Sequence, residues 1–162
     1  MKALRKLAAL TLSLAATPCL AGIADSPLPV LEVGKTTYHI YSVPGYIRSG
    51  GLSSFFSCTS TDTTTMRVGV EVFGSPGGAP FNDAVASSLI VVPGANVIFG
   101  TSSAVGIAID SNVGGSTRGS ARILATSKKL VCTAFVADIG NAPPTSMAHL
   151  TIIAKTKQKA AN

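Results

Sequence analysis

The sequence predicts an all-β chain: an antiparallel β-sandwich of about eight or nine short strands carrying one disulfide, with a small β-barrel as the alternative that strand count and spacing leave open. Three observations point there. Gly- and Pro-rich turn signals recur at near-regular intervals, and the runs between them alternate apolar with polar side chains. Charged residues are only 12% of the chain while Gly, Ser, Thr and Val are abundant, a composition that favours strands and turns over helices. Two strand-like stretches, Ser53-Ser54-Phe55-Phe56-Ser57-Cys58 and Leu130-Val131-Cys132-Thr133-Ala134-Phe135-Val136, each carry one cysteine.

The chain opens on a segment of a different kind. Met1 to Lys6 is basic, Leu7 to Ala16 is apolar without a charge, and Thr17-Pro18-Cys19-Leu20-Ala21 sets small residues around Leu20. This reads as a secretory signal peptide over residues 1–21, cleaved after Ala21. The apolar run is well short of the roughly 20 residues a membrane-spanning helix needs. Pro18 directly before Cys19 argues against lipid attachment at that cysteine. Lys2, Arg5 and Lys6 leave with the leader, taking the formal net charge from +6 to +3. Lys155, Lys157 and Lys159 fall in a basic tail, residues 155–162, read as disordered. The body is then near neutral, so nucleic acid is not an expected partner, and the mature chain is expected to have no transmembrane segment. Cys58 and Cys132 remain, an even number in an oxidising compartment, and are expected to be joined, clamping the two layers. The chain-entropy model gives a bridge of that span about 4 kcal/mol.

Residues 22–35, with Pro27 and Pro29, read as an extended lead-in with a first edge strand near Val30 to Val33. The domain proper is expected over residues 36–154. Thr36 to Val43 is β-branched and aromatic and ends at Pro44-Gly45; Tyr46 to Gly51 is read as a loop into the first cysteine strand. Thr59 to Thr65 is read as a hairpin loop. Met66 to Phe73 has the cleanest period of two, with Met66, Val68, Val70 and Val72 on one face and Arg67, Gly69 and Glu71 on the other, expected in solvent. Ser87 to Val92 and Asn96 to Thr101 read as a hairpin over Pro93-Gly94-Ala95, Val105 to Ile109 as a strand, and Asp110 to Thr117 as a Gly-rich loop. Gly119 to Ala125 and Leu130 to Ala137 read as a hairpin over Ser127-Lys128-Lys129 whose core face includes Cys132. Met147 to Ala154 is the last strand.

Phe56-Ser57-Cys58-Thr59, Val68 to Phe73, Val92-Pro93-Gly94-Ala95 and the Gly119 to Asp138 stretch together resemble the immunoglobulin-like β-sandwich modules of exported bacterial proteins, over about residues 36–154. The chain lacks Trp, and Leu130 stands where antibody-type domains place a tyrosine two residues before the second cysteine. The resemblance therefore implies a fold and carries no activity with it.

Chemistry is sparse. Nucleophilic catalysis needs a nucleophile, a base in reach and a group to orient the base; the chain has two histidines, His39 and His149, both read as exposed structural residues, and no Gly-x-Ser-x-Gly elbow. Glu71, four residues from Arg67 on one strand face, reads as a surface charge rather than a general acid. Asp110-Ser111-Asn112-Val113-Gly114 has the opening rhythm of a calcium loop, but position twelve is Ala121. No metal, cofactor or catalytic residue is assigned, and no N-glycosylation sequon occurs. Arg67, Arg118, Arg122, Lys128 and His149 form the candidate ligand-contact surface, and Arg118, Arg122, Lys128 and Lys129 could meet a polyanion. Three functions compete. The leading one is an exported, non-catalytic binding or envelope module that contacts a protein or polysaccharide through loops such as Gly74 to Asp83 and Asp110 to Thr117. The others are a small hydrolase using His39 or His149, and a basic surface module.

Overall fold

Alternating apolar residues need a second apolar surface to cover them, and the chain supplies it by folding one sheet back on itself. The computed structural model describes residues 22–155; the expected leader and all but the first residue of the expected basic tail lie outside the described residues. Ten strands run β1 Tyr38–Ser49, β2 Leu52–Ser60, β3 Met66–Gly74, β4 Leu89–Val91, β5 Asn96–Gly100, β6 Ser111–Asn112, β7 Arg118–Ala125, β8 Leu130–Asp138, β9 Met147–His149 and β10 Ile153–Ala154, with no helix among the described residues. Their order is β4-β3-β7-β1-β2-β5-β6, with β10 beside β1, β8 beside β2 and β9 beside β8. The long strand β1 turns the corner: Tyr38 to Ile47 pair with β7, then Arg48 and Ser49 pair with β2. One half is thus β4-β3-β7-β1-β10 and the other β9-β8-β2-β5-β6. The sheet is continuous through β1 and nearly barrel-shaped, between the two architectures expected.

The core lies between the halves. Val43, Tyr46, Val68, Val70, Val72, Ala121 and Ile123 come from the first, and Phe56, Cys58, Val97, Phe99, Leu130 and Ala134 from the second. The Tyr41 hydroxyl donates to the Leu130 carbonyl at 2.8 Å, tying β1 of the first half to β8 of the second. Cys58 and Cys132 are bonded, as expected. They face each other on neighbouring strands of the same half, with Cα atoms 4.1 Å apart. The bridge therefore does not clamp the halves together; the apolar core and the bend of β1 do.

Several local expectations change. Pro44-Gly45 does not end β1. A register shift between Val43 and Tyr46 accommodates it, a bulge being one of the places in a strand where proline's missing N–H costs little. Beyond the bulge, the Ser54 hydroxyl both accepts from Ile47 N–H and donates to its carbonyl. Gly50 and Gly51, with φ of 63° and 78°, make the two-residue turn that joins β1 to β2, a conformation other residues adopt at a cost. Val30 to Val33 and Val105 to Ile109 form no strand. The expected last strand is two: β9 pairs with β8 in one half and β10 with β1 in the other.

The largest difference is in pairing. The short connections 61–65, 92–95 and 126–129 were expected to close hairpins, but each carries the chain from one half to the other. β2 pairs with β5 and β8, not β3. β4 pairs with β3 and β5 with β2 and β6, while β7 pairs with β1 and β3 and β8 with β2 and β9. These three crossings gather at one end of the molecule and are bonded through Gly94 N–H to Ser60 O, Ser60 N–H to Ala95 O, Thr61 N–H to Lys129 O and Thr126 N–H to Arg67 O.

Candidate functional site

The most elaborate polar arrangement is on the outer face of the first half. Glu71 on β3 and Arg122 on β7 are paired residues of adjacent antiparallel strands, so their side chains rise side by side. Arg122 Nε donates to Glu71 Oε2. The rest of the guanidinium reaches the backbone of residues 22–35, which lies across this face: Nη1 donates to Ser26 O and Nη2 to Pro27 O, both at 2.9 Å. Its central carbon lies 5.2 Å from the centre of the Phe73 ring. Arg122 is 1% exposed and Glu71 4%. Both were expected in solvent, Arg122 as a ligand contact, and this is corrected: the lead-in covers the face, and its carbonyls consume the donors an external anion would need. Leu31 adds a small apolar anchor against Ala84 and Leu124. A signal was present, since Ile123-Leu124 places apolar residues on both faces of β7, which means that both are covered.

His39 is half-buried on β1, not exposed as expected. Its Nε2 is 3.1 Å from Tyr41 O and 3.0 Å from Ser42 Oγ. Burial first, then the charges of Lys155 and Arg122, lower its pKa to about 4, against the bond to Tyr41 O, which raises it. The ring is neutral at pH 7. A carbonyl can only accept, so the proton belongs on Nε2, and that nitrogen cannot then serve as a base for Ser42. His149 is exposed on β9 opposite Phe135, in the other half of the sheet.

The remaining candidates do not converge. Arg67 is half-buried and donates to Ser88 Oγ at 2.8 Å. Arg118 opens β7 and Lys128 follows its end, so an eight-residue strand, roughly 24 Å long, separates them. Lys128 Nζ lies 4.6 Å over the Tyr38 ring, and Lys129 reaches Asp62 at 3.4 Å. Asp62 also accepts from Ser127 Oγ and Thr63 N–H, bonds that lower its pKa to about 2. In the calcium-like stretch, the Asp110 carboxylate accepts from Ile98 N–H of β5, fastening the loop to that strand, and Asn112 Oδ1 accepts from Gly114 N–H in a local turn. Among the described residues no three His, Cys, Asp or Glu side chains gather to hold a metal ion.

The described residues line several surface grooves, among them three shallow ones. One of about 450 Å³ is lined by Ile23, Pro44, Phe73, Gly74 and Gly119. One of about 280 Å³ is lined by Glu32, Lys35, Thr65, Met66, Arg67 and Ile90. One of about 170 Å³ lies beside Val136 and Met147. None of the three includes Arg122, His39 or His149. Comparison with protein-family models, with curated proteins and with solved structures finds no match to this chain.

Proposed function

We propose that this chain is an exported, non-catalytic binding module of the cell envelope, an immunoglobulin-like β frame that presents its loops and strand ends to a protein, polysaccharide or surface. The observation that carries the reading is how the reactive groups are spent. Glu71 is bonded to Arg122, His39 to Tyr41 O, Asp110 to Ile98 N–H, and Asp138 to Ser146 N–H and Asn141. Each holds the frame, and none is aimed into a shared cleft. Export is supported by the leader-like sequence of residues 1–21 and by the disulfide, which persists in oxidising compartments. Among the described residues no helix is long and apolar enough to cross a membrane.

Cell fractionation with intact-mass measurement is the test. The expected result is a processed chain that begins at Gly22, carries two cysteines closed to alkylation, and reproducibly captures envelope material. Recovery of an unprocessed chain with free thiols would overturn export. Turnover of ester, glycoside or peptide substrates that His39→Ala or His149→Ala abolishes would overturn the non-catalytic reading.

A further inference from the structure

The three crossings bring together residues far apart in sequence, and the end they form has a distinct chemistry. Lys128 and Lys129 lie in the 126–129 crossing, and Arg67 is bonded through its backbone to Thr126 there. Lys35 shares a groove with Thr65 and Arg67. Lys155 N–H donates to Ile40 O, two residues from Tyr38, over whose ring Lys128 lies. Lys157 and Lys159 follow in the sequence. The acids at this end are matched: Glu32 with Lys35 at 2.9 Å and Asp62 with Lys129. Among the described residues, Arg67, Lys128 and Lys155 have no carboxylate partner and are left as surplus positive charge. At the opposite end Arg118 pairs with Ile47, next to Arg48, and Asp138 pairs with Leu52 at the start of the neighbouring strand, so acid and base are mixed there.

The same basic end carries protruding aliphatic side chains. Val33 is 95% exposed, and Ile90, Val92 and Val131 are each more than half exposed. A hydrated acidic polysaccharide has no use for bare valines, whereas the boundary between lipid headgroups and acyl chains takes both features: cations at phosphate level and aliphatic tips just below. We infer that this end of the molecule docks on an anionic lipid surface, Lys128, Lys155 and Arg67 meeting the phosphates and Val33, Val92 and Val131 entering the interface. This deepens the binding reading above and rests on it.

The test is flotation of the purified, processed protein with phosphatidylcholine vesicles, with and without phosphatidylglycerol. Binding is expected only with phosphatidylglycerol. It should be largely lost as salt rises from about 0.1 M to about 1 M, which shortens the screening length from about 10 Å to about 3 Å. Lys128→Glu with Lys155→Glu should lower partitioning at least about tenfold, each basic residue being worth about fivefold near such a surface. Arg48→Glu with Arg118→Glu, at the other end, should leave it within about twofold. Val33→Ser with Val92→Ser should weaken vesicle binding several-fold and leave retention on immobilised polygalacturonate unchanged. No flotation at low salt, equal loss in both charge-reversed pairs, or valine variants without effect would each overturn the assignment. If vesicles fail while envelope capture persists, the lipid partner alone is wrong; if both fail, the binding reading falls too.

Discussion

Arg122 shows how a single buried charge can fasten a segment that forms no strand. Its guanidinium holds Glu71 on one side and two lead-in carbonyls on the other. Arg122→Met would leave a carboxylate buried without a counter-charge, and should cost about 3–5 kcal/mol in urea unfolding. Arg122→Met with Glu71→Leu should recover much of that loss, because the pair's own net contribution is small. A single variant within about 1 kcal/mol of the parent would mean that the Glu71 carboxylate reaches water or another partner once Arg122 is gone. His39 gives a second residue-scale expectation. Its pKa falls from 6.5 unfolded to about 4 folded, so between those values the unfolded chain binds more protons, and stability falls as pH drops through that window. The ring is half exposed, so the loss should be no more than about 1–2 kcal/mol. His39→Gln should flatten the dependence between about pH 6.5 and pH 4, measured as urea midpoint against pH.

At the scale of elements, β3 runs beyond its short neighbour β4, and a side chain takes over where β4 stops. Asn82 Oδ1 accepts from Val72 N–H and its Nδ2 donates to Val70 O, at 2.9 and 2.7 Å, while Phe81 N–H bonds Val72 O. One amide thus imitates the backbone of a missing strand. Asn82→Ala should cost about 1–3 kcal/mol by leaving those groups unpaired, and Asn82→Asp should fall between, keeping the acceptor and losing the donor. This arrangement was not legible in the sequence, where Asn82 reads as one loop residue among many. Strand positions were legible in most cases, because alternation reports which side chains seek cover. Pairing was not, because a four- or five-residue loop between two strands looks the same whether it closes a hairpin or crosses between halves. The exception is β2 with β8: two cysteines carry long-range information that 61–65, 92–95 and 126–129 lack. The basic end was missed for the same reason, since Lys35, Arg67, Lys128 and Lys155 become neighbours only through those crossings.

For the whole molecule, the disulfide joins strands that already pair from Leu52 with Asp138 to Ser60 with Leu130. Removing the sulfur link leaves this strand pairing in place, so most of its effect should lie in the unfolded chain, where it closes a loop spanning 74 residues. Cys58→Ala with Cys132→Ala should lower stability by about 4 kcal/mol and leave the far-ultraviolet dichroism of the native state unchanged. The kinetics locate the effect. If β2 and β8 meet before the folding barrier is crossed, the cross-link raises the unfolded state relative to the barrier and the native state alike. Its loss should then slow folding about a thousandfold and change unfolding by no more than a few-fold. Stopped-flow folding and unfolding limbs in urea measure both. Faster unfolding with folding unchanged would mean instead that the half built on β2 closes last, after the first half has formed around β7.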